Sequence, residues 1–169
     1  MLVVNVAGGA HPALPDLPWR PGHSARLIGN DLPSSAPRAA NIGLAAATGE
    51  WICFLDQDNH YDADFVSSML RHARQQPGRL LLYGHAREQA ADGSITLVPA
   101  LPFNRALVAG RPRFHWSAAL ISRRVIALGC RFDEQLAVCE GQDFLAQIAQ
   151  FASLDTTRQL NDNIKSLLS

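Results

Sequence analysis

The sequence predicts an α/β domain with a mostly parallel central sheet. Apolar runs of strand length alternate with segments of helical period along the 169 residues. The strand-like runs lack polar alternation, as strands covered on both faces do. No linker, internal repeat or low-complexity segment divides the chain. A hydrophobic fraction of 47% with 18% charged residues suits a globular chain that buries a real core. The expected domain is 1–152, with 153–169 as a polar tail.

The opening run MLVVNVAGGA reads as a short buried strand closed by a Gly-Gly turn, and residues 11–24, with four prolines, as a loop. ARLIGN is a second short strand. Pro37 sits where a first helical turn accepts proline, ahead of the alanine-rich RAANIGLAAATG, and Gly49 supplies a stop. WICFLD is then a strand. Phe65, Met69 and the Val66–Leu70 pair recur at helical spacing up to Pro77-Gly78. RLLLYGHA is another buried strand, and Asp92-Gly93 is a turn leading into one more. Residues 99–113 form a long proline-containing excursion. WSAALISRR is apolar and then basic, FDEQL follows a glycine turn, and GQDFLAQIAQFA is helical.

Lys plus Arg number 15 and Asp plus Glu number 15, so no global field draws nucleic acid, and no nucleic-acid partner is expected. Cys53, Cys130 and Cys139 are far apart and form no CxxC, which indicates neither a zinc site nor a disulfide framework. There is no signal-peptide pattern and no apolar run long enough to span a bilayer, so the expected location is cytoplasmic.

The chemistry concentrates in WICFLDQDNHYDADF. Asp56 and Asp58 leave the strand at its carboxyl end, where ligands bind in sheets of this class. Two carboxylates one residue apart can face one hard cation, Mg²⁺ or Mn²⁺, with substrate phosphates completing the shell. They can equally be the polar start of a loop. A calcium loop fits poorly, because Tyr61 stands in place of the needed glycine and Ser67 in place of the bidentate glutamate.

The run AANIGLAAATGEWICFLDQD resembles the centre of family 2 glycosyltransferases, the inverting enzymes of GT-A fold. There a helix carrying N-x-G-x-x-x-A-x-G-E leads into a strand ending in a DxD motif. Asn41, Gly43, Ala47, Gly49 and Glu50 hold those positions here. SAALISRRVIALGCRFDEQLAVCEGQDFL resembles the later family pattern of a small-residue strand, RR, a glycine, FDExL and an acidic helix start. The resemblance covers about residues 36–151 and implies a GT-A-like three-layer sandwich.

It further implies transfer of a sugar, with inversion, from a nucleotide-diphosphate sugar to an acceptor hydroxyl on a glycan or lipid-linked acceptor. Asp56 and Asp58 then bind the donor, Asp56 toward the ribose and Asp58 toward metal and diphosphate. Arg38 is a candidate nucleotide contact or a solvated helix arginine, and His60 lies near enough to approach the diphosphate. Asn41 and Gly43 are expected to fix helix-to-strand packing. The catalytic base is expected in Glu140-Gly141-Gln142-Asp143, at Asp143 first and Glu140 second. Both acids also suit a helix N-terminus without any catalytic role. His115 and Trp116 are candidates on the acceptor side, with solvation and core packing as their plainer accounts.

The pattern also departs from the family. The first strand-helix unit is missing from the expected order, and VNVAGGA lacks the acid that grips the base, with Asn5 as the nearest polar group. The domain is therefore expected to be N-terminally incomplete. It would be a fragment, a chain whose sheet a homo-oligomer or partner completes, or a degenerate non-catalytic binding or assembly module. A peripheral position at a membrane fits lipid-linked acceptors.

Overall fold

The computed structural model describes residues 1–6, 14, 21–29, 34–56, 58–100 and 115–151. In chain order these form β1 (Leu2–Val4), β2 (Arg26–Ile28), α1 (Ala36–Ala46), β3 (Trp51–Ile52), α2 (Phe65–Gln75), β4 (Leu81–Tyr83), β5 (Ala86–Gln89), β6 (Ile95–Val98), a 3₁₀ turn (Trp116–Ala118), β7 (Ala119–Ser122), α3 (Arg124–Ala127) and α4 (Glu140–Phe151). The expected Gly-Gly turn, most of the early proline-rich loop, most of the 99–113 excursion and the 153–169 tail lie outside the described residues.

The apolar pattern accounts for the layering. β7 alternates its side chains between two clusters. Ala119 and Ile121 join Leu44, Tyr83, Val125, Phe132, Phe144 and Ile148 on the face covered by α1 and α4. Leu120 joins Met69, Ala73 and Leu82 on the face covered by α2. β3 and its continuation divide in the same way, with Trp51 and Cys53 toward α2 and Ile52 and Phe54 toward the other cluster. A run without polar alternation is thus apolar because both faces are covered. Phe144, Leu120 and Ile121 are fully buried, each contributing about 1.5–3 kcal/mol by leaving water.

Strand direction departs from the expectation of a mostly parallel sheet. β1 and β2 pair in parallel, whereas β7 lies between β3 and β4 and runs antiparallel to both. β5 and β6 form an antiparallel hairpin, turned at Asp92-Gly93, where Gly93 has φ +84° and the Asp92 carboxylate accepts from the Ser94 amide. The α2 crossover makes β3 and β4 co-directional, as a β-α-β unit should. The direction of β7 depends on the end from which the chain re-enters after residue 114, and hydropathy carries no trace of that.

Helix limits follow local chemistry. The Ser35 hydroxyl caps α1 through the Arg38 amide, with Pro37 in the first turn. α1 ends at Ala46, before Gly49. Its Asn41 side chain grips the backbone of Phe132 in both senses, Nδ2 donating to the carbonyl and Oδ1 accepting from the amide, each at 2.9 Å. Gly43 lies against Val4, which a Cβ would meet at 3.8 Å. Gly43 thus lies against a strand as expected, whereas Asn41 fixes α1 to the segment between α3 and α4, which is not a strand. Asn41→Ala would strand a part-buried amide and carbonyl, and is expected to cost roughly 2 kcal/mol in chemical denaturation. A change of only a few tenths would mean that water replaces the side chain.

Candidate functional site

The acidic loop begins where β3 leaves the sheet. The Tyr61 hydroxyl donates to the Phe54 carbonyl at 2.6 Å, and its ring stacks on Phe65 with centroids 4.5 Å apart. Beyond that closure Asp56, Asp58 and His60 are exposed. Gln57 lies outside the described residues. The Asn59 amide donates to the Asp56 carbonyl at 3.1 Å. Among the described residues, the Asp58 carboxylate and the His60 ring have no hydrogen bond or ion pair. Asp62, farther along, is held by Arg87 through both carboxylate oxygens, at 2.5 and 2.6 Å.

Asn59 links this loop to the turn before β7. Its Nδ2 lies 3.5 Å from Asp56 Oδ2 and 3.3 Å from Ser117 Oγ. Next to Ser117, His115 Nε2 meets Glu88 Oε1 of β5 at 2.8 Å, so that exposed histidine already has a carboxylate partner. Trp116 turns the other way. Its ring packs against Phe132 and Phe144, with centroids at 5.9 and 5.4 Å, and lies over Gly141 at the start of α4. Packing is the role that these contacts give it.

A Cβ at residue 141 would stand 2.1 Å from the indole Nε1, closer than any side chain tolerates. Glycine is therefore a steric requirement, because the space over residue 141 is filled by Trp116. Gly141→Ala sets a helix-propensity gain of about 1 kcal/mol against a clash that displaces the indole. The clash is expected to dominate, leaving a net loss of about 1–2 kcal/mol in thermal or denaturant unfolding. Unchanged or raised stability would show that the indole can swing away freely.

The two acids of α4 differ in surroundings. Asp143 Oδ2 accepts from Gln147 Nε2 at 2.6 Å, and the same Gln147 exchanges two hydrogen bonds with the Arg131 backbone, so Asp143 is engaged in holding α4 to the segment before Phe132. Glu140 is half-buried in the first turn, and its carboxylate has no hydrogen bond or ion pair among the described residues. At about 100° per residue, Glu140 lies a quarter turn from Gly141 and Asp143 nearly opposite it. Arg38 is exposed in the first turn of α1, and only its backbone amide has a partner among the described residues.

The structure therefore joins the acidic loop, the 115–118 turn and the α4 start into one chain of contacts running Asp56–Asn59–Ser117, then Trp116–Gly141. Sequence reasoning missed Asn59, Ser117 and Tyr61; the only trace of them was their place beside DQD and SAAL. No group of three or more His, Cys, Asp or Glu side chains converges to hold a metal among the described residues. A cation at the open Asp58 carboxylate would take most of its shell from water and substrate phosphates, as Mg²⁺ commonly does. Burial pushes the Cys53 thiol up to about 11, against a smaller opposing effect of the Tyr61 hydroxyl, so it stays protonated and is no nucleophile.

Residues 24–125, more than half of the chain, match the model of a family described as "Glycosyl transferase family 2". A protein of Escherichia coli (strain K12), named "Putative colanic acid biosynthesis glycosyl transferase WcaA", is 27% identical over 137 residues. That alignment takes in 73% of this chain and 46% of the relative, so the chain spans about half the length of the curated relative it matches. No described helix is long and apolar enough to cross a membrane.

Proposed function

The chain belongs to glycosyl transferase family 2, and on that premise we propose that it moves a sugar from a nucleotide-diphosphate sugar to an acceptor hydroxyl with inversion. The family implies the GT-A fold, a nucleotide-sugar donor and a glycan acceptor. The observation that carries the reading is the chain of contacts from Asp56 to Gly141. It links the loop that carries Asp56 and Asp58 to the start of α4, where Glu140 precedes Gly141, through one short turn.

In this reading Asp56 faces the donor's ribose, Asp58 its diphosphate, and Arg38 and His60 lie within reach of the nucleotide. A Mg²⁺ or Mn²⁺ ion at Asp58 supplies charge neutralisation for the diphosphate leaving group. A carboxylate removes the acceptor hydroxyl's proton, and the oxygen attacks the anomeric carbon as the bond to the diphosphate breaks. Single displacement inverts that carbon and releases the nucleoside diphosphate. We assign the base to Glu140 ahead of Asp143, because Glu140 is unengaged and lies beside the Trp116–Gly141 contact. Acceptor contacts fall to the 115–118 turn, with His115 oriented by Glu88.

One observation favours a second reading, a non-catalytic member kept for binding or assembly: Trp116 occupies the space over Gly141. Calorimetric titration of UDP and GDP with and without Mn²⁺ separates the two. Binding that requires Mn²⁺ supports the transferase, and no binding of either nucleotide favours the module.

A further inference from the structure

Charge is sorted along the sheet. The loop after β3 exposes Asp56, Asp58, Asp62 and Asp64. The opposite end of the sheet gathers arginines from three elements. α2 ends there, with Arg71 and Arg74 exposed and three residues apart on one helix face. A tight turn, in which the Arg79 amide donates to the Gln76 carbonyl at 3.4 Å, carries the chain directly into β4. β7 ends at the same place: the Ser122 amide donates to Leu80 and the Arg123 amide to Glu50, at 2.9 and 2.8 Å. Arg124 Nη1 closes the group on the Gly78 carbonyl at 3.5 Å.

The ion pairs Arg87–Asp62 and His115–Glu88 lie elsewhere. None of these five guanidinium groups therefore has a carboxylate partner among the described residues, although Glu50 lies beside them. The helix dipole accounts for Arg74 in the last turn of α2. It does not account for Arg79, Arg123 and Arg124, which belong to other elements.

We propose that this basic end docks on an anionic phospholipid surface. A protein partner would be expected to find aromatic or large apolar anchors, and among the described residues the exposed large apolar side chain nearest in sequence to these arginines is Leu128, just after α3. A charged bilayer needs only several basic groups near one plane, each strengthening the attraction. The chain's own tail offers no complement, since Asp155 and Asp162 are balanced there by Arg158 and Lys165. Docked this way, the acidic loop at the opposite end of the sheet faces water. The proposal does not depend on sugar transfer.

The test is co-sedimentation of the full chain with vesicles of phosphatidylglycerol and phosphatidylcholine in equal parts, against vesicles of phosphatidylcholine alone. Binding is expected on the anionic vesicles only, weakening as salt is raised. The Arg123→Glu/Arg124→Glu variant is expected to lower it by about tenfold or more. Arg71→Glu/Arg74→Glu, on exposed positions of a different element, gives an independent pair should the first fail to fold, with circular dichroism as the control. Equal binding to both vesicles, no binding at low salt, or unchanged binding in the folded reversal variants would overturn the proposal. So would retention on an acidic protein or on RNA without vesicle binding, which would assign the arginines to another partner.

Discussion

Glu140→Gln is expected to lower glycosyl transfer by roughly 10²–10⁴-fold, the range lost when a positioned general base is removed. Donor binding should be unchanged, because the acid acts on the acceptor's proton. Gln has nearly the same shape, so the first turn of α4 should persist; the change removes only a carboxylate that has no partner among the described residues. Asp143→Asn is the counterpart. Its remaining carbonyl oxygen can still accept from Gln147, so the tether to Arg131 survives and transfer should stay within a few fold of wild type. Both rates would be measured with the nucleotide sugar that titration identifies. Loss in Asp143→Asn with a normal rate in Glu140→Gln would return the base to Asp143.

The proposed change of order turns on contacts that a sequence does not carry. Asp143 has the better place in the motif, and only coordinates reveal that Gln147 and the Arg131 backbone engage it. The same holds at Gly141, where the need for glycine shows only once Trp116 is found lying over it. Elements set by local chemistry were legible. The helix at 36–46 follows from Pro37 and its alanines, and the hairpin turn from Asp92-Gly93. The layering was legible too, because apolar residues at consecutive positions in 51–54 require cover on two faces. The antiparallel insertion of β7 was not, since hydrophobic period is blind to strand direction. Nor were Asn59 and Ser117, whose contact spans 58 residues of chain and rests on side chains found in any polar loop.

The second large effect is expected at Asp58. Asp58→Ala should abolish Mn²⁺-dependent binding of UDP or GDP while leaving the unfolding midpoint within a small fraction of the wild-type value. The stability half of that expectation follows from exposure: the carboxylate has no hydrogen bond or ion pair among the described residues, so its removal strands nothing. The binding half follows from charge, since each nucleotide presents an anionic diphosphate that a carboxylate repels unless a cation lies between them. Asp56→Ala is a sharper control than wild type alone. Asp56 accepts from Asn59, which also reaches Ser117. Its loss should therefore loosen the 115–118 turn as well as weaken the nucleotide, even where metal is saturating. If Asp58→Ala binds nucleotide as wild type does, with or without Mn²⁺, the open carboxylate at the end of β3 is only the polar start of a loop. The transferase reading would then lose the residue on which its electrostatics depend.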